Sequence, residues 1–410
     1  MMRIGVFTRL GADSVMRFFC TREKKILSNN LSPIGGPAVN TLIVGFLAKG
    51  HFVRVFTRAT SDFYIKGDNI EVVGVKDNDN YLVKNTVGCF VKAFRMKRAI
   101  ENKIHDLDVL HAHWSYEEAW AACQYARIKP VFCTIRDWAP LIWRFESVKN
   151  KIIWSFRVLL NELVLRQKKV KFVANSPYTA NLAKRKLKKE VPMIPNPISP
   201  SFLKSDSHVN PLTFTVLCIS SSNDKRKNIP TLLKGFQLFL RKNNNARLQI
   251  IGEPFTLDNE CCKAWDAQGL LKSVELLGLQ KHDDLKCFLD NCSVFITTSL
   301  EETFGNTLIE AFARRVPVIG GEKSGAVPYV LGQGEFGYLC DVSDAQSVAA
   351  ALYEVYSNPS ESLLIAEKAY VHVKTRYVSN HICDEHIELY NKAISSYENR
   401  SSFVQIQSSD

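Results

Sequence analysis

Residues 299–311 read SLEETFGNTLIEA, and no other part of the sequence indicates the architecture so specifically. The segment follows an apolar run, residues 294–298, that predicts a buried strand, and it leads into a helical pattern from 307 to 315. Ligands of doubly wound parallel sheets bind where the chain leaves a strand and enters a helix. We therefore expect backbone N–H groups of Thr303–Asn306 to face an anion, and Gly305 to let the backbone approach it closely.

Two carboxylates in this segment suit sugar recognition. Glu302 lies in the loop, where it can accept hydrogen bonds from sugar hydroxyls, and Glu310 lies about one turn into the helix, within reach of a ribose diol. Taken singly, each also fits an ordinary role, Glu302 as a solvated loop residue and Glu310 as a surface charge of a helix. Other motifs in the chain are needed to choose between sugar-binding carboxylates and ordinary charged residues.

Strands alternate with helices in both halves of the 410-residue chain. This alternation predicts an α/β protein of two Rossmann-like, doubly wound domains facing a cleft. Three prolines within residues 194–200 exclude a regular element there. We expect an N-terminal domain over residues 1–200, a linker over 201–211, a C-terminal domain over 212–380, a helix over 381–400 that crosses back to the first domain, and a frayed tail over 401–410. The predicted strands span residues 3–8, 52–57, 70–75, 109–112, 131–135 and 171–174, then 214–219, 247–251, 274–277, 294–298 and 316–319.

Glu302-x7-Glu310, with Phe304-Gly305 inside it, resembles the signature of the retaining glycosyltransferases of family 4, group 1 type, which have the GT-B fold. The resemblance extends over nearly the whole chain and includes a glycine loop followed by a helix, a central strand, and a lysine that precedes a helix. These segments are Gly35-Gly36, residues 108–114 (DVLHAHW), Asn175-Ser176, residues 194–197 (IPNP), Lys227-Asn228-Ile229 and residues 324–329 (SGAVPY).

The resemblance implies roles for individual residues. Glu302 and His113 would act on the transferred sugar and the acceptor, and Lys227 would neutralise the departing diphosphate, because negative charge develops there. By the same resemblance, the oxygen of the leaving phosphate would take the acceptor proton, and His113 would orient the substrate rather than ionise. Contacts with the nucleotide sugar, a UDP-sugar or GDP-sugar, would come from Glu310, Phe304, Gly305, Asn306, Thr307, Arg226, Gly35 and Gly36.

The chain departs from the family pattern at three places. Ser222 stands where an arginine is usual shortly before the phosphate lysine, so we expect Arg226 or Lys225 to supply that charge. Arg315 replaces a frequent glycine, and Arg136 stands where a histidine is common, which affects acceptor handling. We also expect His111 and His113 to point to opposite faces of their strand, with His113 facing the ligand.

No metal is expected, because Lys227 and helix-end amides would replace a divalent cation. Asp77-Asn78-Asp79 imitates a DxD metal motif but lies in a polar segment after a strand and is interpreted as a solvated turn. The 11 cysteines form no CxxC pair, which argues against a zinc site and favours buried thiols. No apolar run is long enough to span a membrane, and no export signal is evident at the N-terminus.

Positive charge is concentrated in the first half. Residues 1–200 hold 33 Lys and Arg against 16 Asp and Glu, whereas the remainder has an acidic excess of 5. Residues 141–190 hold 13 basic and 3 acidic residues, with Trp143, Phe145, Trp154 and Phe156 interleaved and the densest run at 184–189. This pattern favours an anionic membrane surface; a plain solvated face is the alternative, and nucleic acid is disfavoured because no RNA-binding motif accompanies the charge.

The sequence therefore predicts a retaining glycosyltransferase that moves a sugar from a nucleotide sugar to a glycan or lipid-linked acceptor in envelope or exopolysaccharide synthesis. It would be cytoplasmic and peripheral on the inner face of the plasma membrane. Two alternatives remain. One is a nucleotide-sugar 2-epimerase of the same fold. The other is a catalytically inactive GT-B binding protein, which is considered because Ser222 stands where the family usually has an arginine.

Overall fold

The computed structural model describes residues 1–77, 86–204, 206 and 211–407, with side chains to residue 397. The chain forms two compact units: the first comprises Met1–Pro197 and Ser379–Asp410, and the second comprises Ile198–Val378. The second unit thus begins before the predicted boundary at residue 200. Pro200–Phe202 forms a short 3-10 helix, and Phe202 is buried in the core of the second unit, so the start of the predicted linker is part of that unit.

The first unit is built on a seven-stranded sheet in the order β3-β4-β2-β1-β5-β6-β7, in which only the β3–β4 pair is antiparallel. The chain order reverses between β1 and β5, which places the topological switch point of this sheet at their carboxyl ends. The strands are β1 (Arg3–Phe7), β2 (Phe52–Ala59), β3 (Phe63–Lys66), β4 (Ile70–Lys76), β5 (Val109–His113), β6 (Val131–Ile135) and β7 (Lys171–Ala174), and the helices are α1 (Ala12–Val15), α2 (Thr21–Asn30), α3 (Pro37–Ala48), α4 (Gly88–Ile100), α5 (Glu117–Cys123), α6 (Ala139–Phe145), α7 (Val148–Leu165) and α8 (Pro177–Leu187).

The second unit is built on a six-stranded, fully parallel sheet in the order β10-β9-β8-β11-β12-β13, whose switch point lies between β8 and β11. The two predicted Rossmann-like domains are thus confirmed. The strands are β8 (Phe214–Ile219), β9 (Ala246–Ile251), β10 (Val274–Leu276), β11 (Val294–Ile296), β12 (Val318–Gly321) and β13 (Tyr338–Cys340), and the helices are α9 (Ile229–Leu240), α10 (Glu260–Ala267), α11 (Leu285–Asp290), α12 (Asn306–Ala313), α13 (Val327–Val330), α14 (Ala345–Ser357) and α15 (Pro359–Arg376).

The last helix, α16 (Ser379–Gln407), returns to the first unit and completes its core. It starts two residues earlier than predicted and continues through most of the segment predicted to be a frayed tail. The Tyr390 hydroxyl lies 2.5 Å from Nδ1 of His111, and Cys383 packs so closely on α3 that a Cβ at Gly45 would lie 2.5 Å from its sulfur. No helix in the described part of the chain is long and apolar enough to cross a membrane.

Candidate active site

The loop between β11 and α12 lies at the switch point of the second sheet, between β8 and β11. Gly305 precedes α12 with φ +91°, and a Cβ there would come within 2.7 Å of Leu308 Cδ1. The Phe304 side chain is buried and packs edge-on against Tyr377, with ring centroids 5.6 Å apart. Phe304 therefore anchors the loop through its side chain, and only its backbone is placed at the start of α12, together with that of Asn306 and Thr307.

Glu302 and Lys227 meet at this switch point. Lys227 Nζ lies 2.5 Å from Glu302 Oε1, and Arg226 Nη1 lies 3.7 Å from the same oxygen. Burial alone would raise the pKa of Glu302, but the charges of Lys227 and Arg226 outweigh it and hold that pKa below its usual value. The site therefore presents two cations around one ionised carboxylate.

Ser222 organises the loop that presents these cations. Its hydroxyl donates to Asp224 Oδ2 at 2.8 Å, and Asp224 Oδ1 accepts from the Lys227 backbone N–H at 3.1 Å. Arg226, which the sequence offered as a substitute for the missing arginine, lies between Asp224 and Glu302. A serine at position 222 thus supports the loop, while position 226 provides the second cation.

Glu310 has a partner that the sequence did not reveal. His282 Nε2 lies 2.8 Å from Glu310 Oε1, and the His282 ring packs on Phe202 with centroids 5.0 Å apart. Burial would lower the pKa of His282, but Glu310 accepts its hydrogen bond and attracts its charge, so the pKa is raised overall. The predicted ribose carboxylate is therefore oriented by a histidine, which no motif in the sequence marks.

His113 is fully buried at the carboxyl end of β5 in the first unit. The prediction that His111 and His113 face opposite sides of the sheet is wrong: their ring centroids are 4.1 Å apart, because side chains two positions apart in a strand share a face. Arg136 Nε donates to His113 Nδ1 at 3.1 Å and also bonds Asn196. Burial, with the nearby His111 and Arg136, holds the pKa of His113 well below its usual value.

The glycine loop belongs to the first unit, whereas the other residues predicted to contact the nucleotide sugar belong to the second unit. Gly35 has φ +55°, and the Gly36 N–H donates to the carbonyl of Arg9 at 2.9 Å. A Cβ at either glycine would come closer than 3 Å to a neighbouring atom. Gly35 therefore allows the loop to pack closely on the backbone of Leu10 and Gly11, and Gly36 allows it to pack closely on Trp114.

The sequence Asp77-Asn78-Asp79 resembles a DxD metal motif. Asp77 Oδ1 lies 2.9 Å from Lys92 Nζ, and Asn78 and Asp79 lie outside the described residues. Within the described ranges, no group of three or more His, Cys, Asp or Glu side chains is arranged to hold a metal ion. The 11 cysteines are free thiols, most of them buried. That the reaction needs no metal stays a prediction.

Two doubly wound units, with a carboxylate pair and a lysine at one switch point, define a protein of the GT-B type. The family model described as Glycosyltransferase Family 4 matches residues 37–202, and the one described as Glycosyl transferases group 1 matches residues 203–372. The two matches adjoin and together cover most of the chain, which therefore belongs to the family 4, group 1 glycosyltransferases.

Curated relatives and solved structures agree with this membership. The chain is 27% identical over 176 residues to the capsular polysaccharide biosynthesis glycosyltransferase CapM of Staphylococcus aureus, covering 43% of this chain and 46% of CapM. It is 28% identical over 142 residues to the lipopolysaccharide core biosynthesis glycosyltransferase LpsE of Rhizobium meliloti, covering 35% of this chain and 41% of LpsE. The alignments thus span less than half of these relatives.

Two solved structures share the fold over almost the whole chain. The sucrose-phosphate synthase of Thermosynechococcus elongatus superposes with a TM-score of 0.76 at 16% identity, covering 97% of this chain and 100% of that one. Anabaena Alr3699/HepE in complex with UDP and glucose superposes with a TM-score of 0.66 at 15% identity, covering 96% and 100%. These likenesses establish the GT-B fold.

Proposed function

We propose that this protein transfers a sugar from a nucleotide sugar to a hydroxyl of a glycan or lipid-linked acceptor in polysaccharide synthesis, with retention of configuration. The observation that carries the proposal is the cluster of Glu302, Lys227 and Arg226 at the switch point of the second sheet, beside the helix that carries Glu310. CapM and LpsE act in polysaccharide synthesis by their names, and HepE binds UDP, which supports a UDP-sugar as donor.

The cluster suits the departure of a nucleoside diphosphate. When the bond to the sugar breaks, negative charge develops on the diphosphate, and Lys227 and Arg226 stabilise it electrostatically. Glu302 stays ionised beside them and accepts hydrogen bonds from the sugar hydroxyls. Glu310, oriented by His282, accepts hydrogen bonds from the ribose.

His113 is suited to orienting a substrate rather than removing a proton. Arg136 has no acceptor atom to offer, so its Nε–H donates to Nδ1, and the neutral ring carries its proton on Nε2. Nε2 is buried with no hydrogen-bond partner among the described residues. A buried N–H can orient a sugar oxygen, and in the proposed reaction an oxygen of the departing diphosphate accepts the acceptor proton.

A donor panel tests the proposal. UDP-sugars and GDP-sugars are incubated with the protein and membrane extract, with and without EDTA, and the product anomer is read by NMR. We expect transfer from one donor with the α-configuration kept, with activity surviving EDTA. Lys227→Gln should lower kcat by about a hundredfold or more, as removal of one transition-state donor does. Lys234→Gln, at an exposed position of α9, is the control that keeps activity.

Other outcomes of the panel contradict the proposal. Conversion of a UDP-sugar to its epimer without acceptor would identify the epimerase alternative. Nucleotide binding without turnover on any donor would identify the inactive alternative. Activity lost in EDTA and restored by Mn²⁺ would show that Lys227 and Arg226 do not replace a metal.

We also propose that the first unit docks on an anionic membrane at the cytoplasmic face, where a lipid-linked acceptor would lie. The excess of basic residues supports this, although the structure changes the details. The interleaved aromatics are half-buried, and the exposed apolar side chains of α7 are instead Val148, Ile152 and Leu159. Lys184 pairs with Glu190 and Lys186 with Glu162, each at 2.5 Å.

A further inference from the structure

Arg9 and Trp114 meet at the switch point of the first sheet, and the function proposed above uses neither. Arg9 follows β1 by two residues, and Trp114 directly follows β5, the strand paired with β1. Ligands of doubly wound sheets bind at such points. The corresponding point of the second sheet holds Lys227 and Glu302, so position alone already makes this pair a candidate binding site.

The Arg9 guanidinium is a cation without a counter-ion in the described structure. The side chain is exposed, its guanidinium carbon lies 5.9 Å from the centroid of the Trp114 ring, and it makes no hydrogen bond or ion pair with any other described residue. The charge of Arg58, and then partial removal from water, lower the pKa of Arg9. An anion bound here would relieve this repulsion.

The carboxylates near Arg9 are already engaged. Arg58 donates to both oxygens of Glu118, at 2.5 and 3.0 Å, and to Glu117 at 3.0 Å. Burial would raise the pKa of Glu118, but Arg58 lowers it to about 2. Arg157 Nε lies 4.0 Å from Glu117. Because both carboxylates are paired with other arginines, Arg9 is the cation left to face a ligand.

Trp114 is held in place by the glycine loop. Its backbone has φ +61°, a left-handed conformation that is costly for a bulky residue and is found most often at ligand sites. A Cβ at Gly36 would lie 2.7 Å from Cη2 of the indole, and the Gly36 N–H is bonded to the Arg9 carbonyl. Loop, guanidinium and indole therefore form one packed unit, with an aromatic face beside a cation.

We propose that Arg9 and Trp114 form an acceptor subsite for an acidic sugar, in which the indole packs against the sugar ring and the guanidinium binds an oxyanion on it, a phosphate ester or a carboxylate. A guanidinium binds both anions through paired N–H donors. His113, which orients the acceptor in the proposed function, immediately precedes Trp114 in the chain. The inference rests on the proposed function only in naming the ligand as the acceptor.

The test follows the indole N–H resonance of Trp114, assigned with Trp114→Phe, during titration with glucose 6-phosphate, glucuronate and glucose. These ligands share a ring and differ in the charged group. We expect a saturable shift with at least one anion and none with glucose at the same concentration. The anion that binds with the higher affinity shows whether the subsite prefers a phosphate ester or a carboxylate.

Variants at Arg9 complete the test. Arg9→Gln should weaken anion binding about tenfold or more, since a charge-assisted contact is lost, and Arg9→Lys should fall between the two. Arg17→Gln is the matched control, because Arg17 is also exposed in the first unit and lies 4.9 Å from the ring centroid of Phe18. Equal shifts with glucose, or equal affinity in wild type and both Arg9 variants, would overturn the inference. The titration contains no nucleotide-sugar donor, so it measures anion binding alone. If the separate donor panel showed no sugar transfer, the binding result would still hold.

Discussion

His282 and Glu310 form a pair of side chains whose contribution to stability depends on pH. The folded protein raises the pKa of His282 above its usual 6.5, mainly through the hydrogen bond to Glu310. The pair therefore stabilises the fold fully below pH 6.5, and this stabilisation is lost as the pH rises through the folded-state pKa.

Replacing His282 with Ala should thus lower the free energy of unfolding more at low pH than at high pH. We expect the loss to be about 1 kcal/mol larger at pH 5.5 than at pH 8.5, as for a partly exposed charged hydrogen bond. Urea unfolding at the two pH values measures it. His381→Ala, at an exposed histidine of α16 that contacts Glu385 at 3.1 Å, is the control for general effects of losing a histidine. A pH-independent loss would mean that His282 is neutral in the fold.

At the residue level, the sequence could single out Glu302 and Glu310, because their spacing lies within one loop and one helix, and it could single out Lys227 through the resemblance to the family. It could not predict His282 or Arg9, since each reaches its partner through the packing of segments distant in the chain. The predicted orientation of His111 and His113 was wrong, although the two-residue period of side chains along a strand was enough to place both on the same face.

Among the elements, buried strands were predictable and short peripheral ones were not. β8 and β6 have the predicted bounds, because strands covered on both faces are continuous apolar runs. No local pattern indicated β3, an antiparallel edge strand of alternating exposure, or the polar helix α2. Their positions depend on tertiary contacts that a local pattern does not contain.

The loop before α12 depends on one glycine, which gives a test at this scale. Gly305→Ala should destabilise the second unit by about 1–3 kcal/mol, through left-handed strain and contact with Leu308, and should weaken nucleotide binding because the N-terminal amides of α12 move. Gly269→Ala separates the two costs, because Gly269 has φ +69° but nothing within 4 Å of a new Cβ. Thermal unfolding measures the loss of stability in both variants, and calorimetry measures their nucleotide affinity. Equal losses of stability in the two variants would show that contact with Leu308 does not contribute.

At the level of the whole molecule, the uneven charge allows a test of the proposed docking on an anionic membrane. Each basic residue near an anionic leaflet contributes about 1 kcal/mol, and salt screens it within about a Debye length. We expect sedimentation with anionic vesicles at low salt and release as salt rises. Binding should drop steeply when five residues of the basic run are changed to Gln, namely Lys184, Arg185, Lys186, Lys188 and Lys189.

A matched set in the second unit removes the same charge from exposed positions, namely Lys225, Lys234, Lys242, Lys263 and Lys272. If both sets reduce vesicle binding equally, net charge rather than a docking face is responsible. If neither does, the basic run is a solvated surface in which Lys184 pairs with Glu190 and Lys186 pairs with Glu162.

The return of α16 to the first unit has a consequence for synthesis of the chain. Ile382, Cys383, Tyr390 and Ala393 fill the same core as β1 and α3, so that core is incomplete until α16 leaves the ribosome. The second unit is continuous in sequence and contains all of its own core, so it can fold first. The N-terminal half therefore has to wait, with apolar surface exposed, for a segment made more than three hundred residues later.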